Sequence, residues 1–247
     1  MTLSPRDLLV STFSLYRAHF WLLIGYAAWM ILPVAAFLIL TNLPSHPWTP
    51  ILVILTFFAQ LFVMIWLAVC IMRVTVGVQQ NHSVDPNEIS AQALRRIQPV
   101  LATAVLQTLI VLGGTLLLIV PGIIFWGWYA LAQTAAAVDE QPAMKALATS
   151  RSLVQGRFWY VLWRLIAGPF VIGLLYAFAL GSVLILVATL FGQDPAGVFS
   201  EQPPLWAQLL ESGGDVFVIP LFIIYSVLLY EHLKATHLAT SLASDVA

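Results

Sequence analysis

Few side chains in this chain could do chemistry, and nearly all of them lie inside or at the edge of long apolar runs. Arg164 stands about two helical turns into one such run. A charge at that depth in a membrane is a candidate for anion binding, since lipid supplies no counter-charge. Its plainer use is to reach back to the headgroups beside Arg157, or to pair with Asp139, Glu140 or Glu231. Gln60, Gln107, Thr108, Gln133 and Thr134 are polar residues within other apolar runs. They could line a polar path, but the commoner use is helix-to-helix bonding, each bond being worth roughly 0.6–2 kcal/mol. Glu231, His232 and His237 gather near the C-terminus. The two histidines are five apart, so they do not share a helical face as an i, i+4 metal pair would. His19 and His82 fall at a border and in a loop. No histidine pair suited to a haem sandwich occurs, and no GxSxG, HExxH or P-loop pattern. No catalytic residue, cofactor or metal is therefore expected.

These residues must be carried by membrane-spanning helices. The chain has 247 residues, of which 61% are hydrophobic and 9% charged, with a mean hydropathy of +0.94. A soluble domain carries about 25% charged residues, so most of this surface must face lipid. The net charge of −1 says nothing about nucleic acid, but no basic run is present and no nucleic-acid partner is expected. The single Cys70 excludes an intrachain disulfide. The first apolar run begins near His19 with no small-residue cleavage site behind it, so no secretory signal is expected.

Six apolar runs stand out, at roughly 19–41, 51–72, 99–120, 123–138, 158–191 and 214–233. The segment 42–50 holds three prolines and no charge, which suits a hairpin connection. Residues 99–138 contain no Asp, Glu, Lys or Arg. As one straight helix they would run about 60 Å, twice the hydrocarbon thickness, so the chain must turn. Pro121-Gly122 is the expected place, because proline stops a helix and glycine permits a reversal. The run 158–191 is long enough for one tilted helix, kinked at Gly168-Pro169, or for two short ones. Charge favours one. All ten Lys and Arg then lie on a single side, while the loop 192–213 has none and carries Asp194, Glu201 and Glu211. Lys and Arg concentrate in cytoplasmic loops, which puts both termini in the cytoplasm. Trp21, Trp159 and Trp163 mark the inner borders, with Trp48 and Trp206 outside.

The expected fold is an all-α polytopic transmembrane bundle of about six spans in a single membrane domain, with cytoplasmic amphipathic helices lying in the interface. A threefold parallel repeat is expected over 1–72, 85–138 and 142–233. Ser4-Pro5-Arg6-Asp7 and Asp85-Pro86-Asn87-Glu88 share an N-cap residue, proline at the first helical position and an acid that can reach back. Pro142 would open a third helix. Leu9, Phe13 and Tyr16 form one apolar stripe, and Ile89, Ala93, Ile97 and Leu101 another. SLYRAHFW at 14–21 aligns with SLVQGRFW at 152–159. Gly173, Ala177 and Gly181 make a small-residue stripe that would let a helix of the bundle or of a partner approach closely. Residues 204–210, closed by Gly213-Gly214, read as a short helix on the outer leaflet.

The segment 121–159 resembles a group of bacterial six-span proteins that includes the membrane domain attached to some glycerophosphodiester phosphodiesterases. The residues that carry the resemblance are Pro121, Gly122, Ile123, Asp139 or Glu140, Ala146, Leu147, Ser150, Leu153, Val154, Gly156, Phe158 and Trp159. The start of the chain, DLLVSTFSLYRAHFWLL, is similar as well. Where the group often has basic residues, this chain has Ala148, Thr149 and Gln155, which weakens a grip on anionic headgroups there. The chain carries no soluble phosphodiesterase domain, so that activity is not expected. The resemblance implies a bacterial inner-membrane protein and an architecture rather than a mechanism. The function expected is a non-catalytic module that contacts membrane lipid, a protein partner or a second copy. A small-solute or lipid transporter is the alternative.

Overall fold

The computed structural model describes residues 4–42, 46–80, 85–200 and 203–245, with side chains described to residue 239 in the last stretch. Every regular element among them is helical. Six are long and apolar enough to cross a membrane: Phe20–Asn42, Thr49–Gln79, Pro86–Leu117, Ile119–Val138, Phe158–Leu190 and Leu205–Ala239. The protein is an all-helical integral membrane bundle. In lipid a helix satisfies its own backbone, which explains why these runs are helices.

Helix α1 (Pro5–Ala18) begins with a full capping box, in which Ser4 accepts from the Asp7 backbone and Asp7 accepts from Ser4. The first span is built of α2 (Phe20–Ala27), a short 3-10 turn, and α3 (Ile31–Asn42). Then come α4 (Thr49–Gln79), α5 (Pro86–Leu117), α6 (Ile119–Tyr129), α7 (Ala132–Val138), α8 (Ala143–Val154), α9 (Phe158–Leu190) and α10 (Leu205–Asp245). The last span is the centre: 56% of its apolar window is buried, against 6% for that of α4, whose core contacts come from its inner half at Leu67–Thr75. Tyr225, Ile224, Leu229, Tyr230 and Leu233 of α10 fill the core between α1, α2, α4 and α9.

Four sequence expectations are corrected. The turn between the third and fourth spans falls at extended Leu118, not at Pro121-Gly122. Pro121 sits in the first turn of α6, where a missing N–H costs nothing. Gly122 serves closeness instead: a Cβ there would lie 2.2 Å from Thr115 Oγ1 on α5. The second amphipathic segment is not a separate interfacial helix, because α5 runs unbroken from Pro86 through the span. Its Ile89 and Ala93 are in the protein core, and Glu88 accepts from Gln92 rather than reaching back to the cap. The outer-leaflet helix is likewise the first two turns of α10, with Gly213-Gly214 inside it. Gly214 lets Tyr176 approach: a Cβ there would lie 2.7 Å from the Tyr176 hydroxyl oxygen. Finally, α1 buries Leu8 and Thr12 most deeply; of the expected stripe, Leu9 and Tyr16 pack partly against the core and Phe13 is exposed. The fifth span is one helix across Pro169, as charge had favoured. His82 and Glu201 lie outside the described residues.

Between α6 and α7 the helix breaks at Ala130-Leu131, which frees backbone groups at membrane depth. Fully buried Ser150 on α8 inserts its hydroxyl there. It donates to the Trp128 carbonyl at 2.7 Å and accepts from the Leu131 N–H at 3.2 Å. Ser150→Ala should orphan both groups and cost about 1–3 kcal/mol, read as a lower unfolding temperature of the solubilised protein. Ser150→Thr retains the hydroxyl and should lose less. Ala146, Leu147, Ser150, Leu153 and Val154 together form the buried face of α8. The motif residues on that helix are therefore the ones it packs.

Candidate functional site

The polar residues collect at one end of the bundle, where α4 ends, α5 begins, α7 passes into α8, and α10 emerges. Asp139 caps α7, and Glu140 follows with φ of 56°. It is the one non-glycine residue with positive φ among the described residues. Such a conformation costs of order 1–3 kcal/mol and persists only where the surroundings hold it. Here the hold is visible. Arg73 of α4 donates to Glu140 Oε1 at 2.6 Å, and Arg96 of α5 donates to Oε2. Arg96 also reaches the Glu140 backbone carbonyl at 3.3 Å. Arg73 is steadied from behind by Gln92 Oε1 at 3.0 Å, and Gln92 in turn donates to Glu88. Next door, Lys234 and Tyr230 of α10 donate to the two Asp139 oxygens at 2.6 and 2.7 Å. Two adjacent acids thus tie three spans together.

The hydrogen bond from Arg73, helped by the charges of Arg73 and Arg96, holds the Glu140 carboxyl below the usual carboxylate range against the opposing effect of burial. A folded-state pKa below the unfolded one stabilises above the ordinary glutamate value of about 4.3, and the contribution is lost as pH falls through the folded value. Glu140→Gln should therefore be less stable than the parent at pH 7. The gap is about 1 kcal/mol, since the carboxylate is half-exposed. Thermal unfolding from pH 7 to pH 3 should show the gap closing as the parent's own carboxyl protonates.

An apolar groove of about 410 Å³ opens between α4 and α5 towards the bilayer. Leu61, Met64 and Ala68 form one wall, and Val100, Ala104 and Val105 the other. Gln133 of α7 lies at its floor and donates to Gln107 of α5 at 3.2 Å. Thr108 lines the groove, whereas Gln60 does not. Thr134 is buried.

The remaining candidates are placed apart from this site. Arg164 is buried with its guanidinium 3.4 Å from the centre of the Tyr160 ring, a cation–π contact, and it bonds the Tyr160 carbonyl. Asp139 holds Lys234 and Glu140 holds Arg73 and Arg96, and neither acid is ion-paired with Arg164 among the described residues. Glu231 is half-buried and belongs to none of the ion pairs among the described residues. Gly156 has φ of 80° in the tight turn from α8 to α9, a conformation that favours glycine. Of the small-residue stripe, Gly173 touches Phe222, Ala177 is exposed, and Gly181 has nothing within 4 Å of a Cβ position. That stripe does not seat a helix of this bundle along its length. Among the described residues no three His, Cys, Asp or Glu side chains gather as metal ligands.

Sequence reasoning placed Asp139 and Glu140 as candidates but not their partners Arg73, Arg96, Tyr230 and Lys234. The usable signal was depth. Two acids closing the fourth span must be neutralised at that level, and Arg73 and Arg96 flank the neighbouring spans at the same level. Which cation meets which acid depends on helix rotation. No family model, curated protein or solved structure matches the chain.

Proposed function

We propose that this is a non-catalytic, lipid-contacting accessory protein of the bacterial inner membrane, with both termini in the cytoplasm. The observation that carries the reading is the apolar groove between α4 and α5, open to the bilayer and ending beside the charged cluster. Lipid has that same division into apolar chain and polar head. The charged side chains of the cluster engage one another, as expected of a structural and binding role rather than of acid–base catalysis. The orientation rests on the excess of Lys and Arg at the cluster's end of the bundle. The bacterial setting rests on the resemblance of segment 121–159 to the six-span group.

Transport is the second reading, favoured by the polar Gln133 at the groove floor. Against it, the Gln133 amide bonds Gln107, and the groove is lined mainly by apolar side chains. The test is native mass spectrometry of the protein extracted with its surrounding bilayer. A retained lipid supports the reading, and a stoichiometric protein partner or a second copy would recast the module as an assembly factor. A bare monomer would overturn it and turn attention to solute uptake assays. For orientation, a reporter placed in 192–200 should be exported and one at the C-terminus should remain cytoplasmic. Both on one side would refute the topology.

A further inference from the structure

We infer that the α4–α5 groove is the acyl-chain half of a site for one anionic phospholipid, whose phosphate is held by Arg73 and Arg96. The inference rests on the lipid-contacting reading above and names the lipid class and the residues that select it. The groove ends at the depth of the charges. On α4 the lining runs from Leu61 to Met72, and Arg73 follows at the same depth, about 100° round the helix. On α5, Arg96, Val100 and Ala104 recur every fourth position and so share a face, with Arg96 one turn past the lining. Leu61 to Met72 spans eleven residues, about 16 Å of helix rise. That is half of a hydrocarbon core of about 30 Å, the reach of one leaflet's chain. A lipid lying in the groove would therefore present its headgroup at the two guanidiniums.

The charge at that level suits an anion. Arg73 and Arg96 share one carboxylate, that of Glu140, so one of their two charges is unmatched at the contact itself. Two arginines converge on the single Glu140 carboxylate, an arrangement that also fits the oxygens of a phosphodiester. Arg73 Nε is buried and has no hydrogen-bond partner among the described residues, a donor that reaches an additional acceptor only when the side chain shifts. Glu140 holds the guanidiniums in place and shares them with the headgroup, or gives way to it. Its left-handed backbone, of little intrinsic stability, makes that exchange easy.

The experiment is lipid exchange in nanodiscs of phosphatidylcholine doped with phosphatidylglycerol, read by native mass spectrometry. The parent should retain one phosphatidylglycerol in preference to phosphatidylcholine. Arg73→Gln and Arg96→Gln should each lose that preference about tenfold, while Arg95→Gln, the same charge change one residue away, should keep it. Glu140→Gln should bind phosphatidylglycerol more tightly, and Ala104→Phe, which fills the groove, should retain neither lipid. Unfolding temperatures accompany each variant, so that loss of the fold is not read as loss of the site. The inference is overturned if Arg95→Gln loses the preference as fully as Arg96→Gln does, if Glu140→Gln weakens it, or if inorganic phosphate alone displaces the lipid. Should the parent hold a lipid without regard to headgroup, this inference fails and the broader reading stands. Should it hold none, the broader reading fails too.

Discussion

Gly168→Ala should lower the unfolding temperature of the solubilised protein more than any other added methyl in the spans. A Cβ at Gly168 would lie 2.0 Å from Tyr225 Cζ, 2.3 Å from Cε2 and 2.4 Å from the hydroxyl oxygen. Tyr225 is almost fully buried in the centre of α10, so its ring has little room to retreat. Its hydroxyl donates to the Arg164 carbonyl of α9 at 2.8 Å. That carbonyl is the i−4 acceptor of Gly168 itself, one residue before the Leu165 carbonyl that Pro169 leaves without a backbone donor. The glycine and the tyrosine form a notch and a key across the two longest spans. Without a hydrophobic drive between helices in lipid, such close packing and bonding are what hold the spans together. Overpacking costs about 1–3 kcal/mol, and the lost phenol bond adds about 1 kcal/mol. Gly181→Ala, where no atom comes within 4 Å, is the matched control and should be neutral. Gly168→Ala combined with Tyr225→Ala should cost less than the sum of the two, because removing the ring removes the clash. Equal melting of the two glycine variants would show that the notch is not filled as described.

The second large effect is expected at Asp139. Its side chain is only 16% exposed and accepts from Lys234 and from the fully buried Tyr230. Truncating one partner of a buried pair costs about 3–5 kcal/mol. Lys234 is 37% exposed, so water recovers part of that, and Asp139→Ala should lose nearer ~2–3 kcal/mol. Asp139→Asn keeps an acceptor for the phenol but not the charge, and should fall between. A double-mutant cycle with Lys234→Met isolates the ionic part. A coupling near zero, with Asp139→Ala as stable as the parent, would mean that the pair does not tie α7 to α10. Both experiments probe links to α10, the helix whose burial marks it as the centre of the bundle.

Much of the architecture was open to reading along the chain. The existence of a turn inside 99–138 follows from a length that no bilayer accommodates. The single fifth span follows from the placement of Lys and Arg. The exact turn was missed by three residues, because proline is as comfortable in the first turn of a helix as in the loop before it. The helix joining Pro86 to Leu117 was missed for a related reason. An amphipathic segment that meets protein on its apolar side carries the same periodicity as one that meets headgroups, and Ile89 and Ala93 turned out to meet protein. The candidate site was half legible. Gln107 and Gln133 were marked by being polar at apolar depth, and Asp139, Glu140 and Ser150 by the motif residues of 121–159, whereas Arg73 and Arg96 read only as border charges.

The sequence by itself therefore determined the number of crossings and the end of the bundle at which Lys and Arg lie. Both follow from one-dimensional quantities: the length of each apolar run against the bilayer, and the cost of carrying charge through it. Only the tertiary structure decided which arginines share Glu140, which hydroxyl closes the break before α7, and which glycine receives Tyr225. Those contacts depend on the rotation and depth of one helix against another. Residues far apart in the chain meet there within about 3 Å, the reach of a hydrogen bond, and periodicity along a single helix carries no record of its neighbour's.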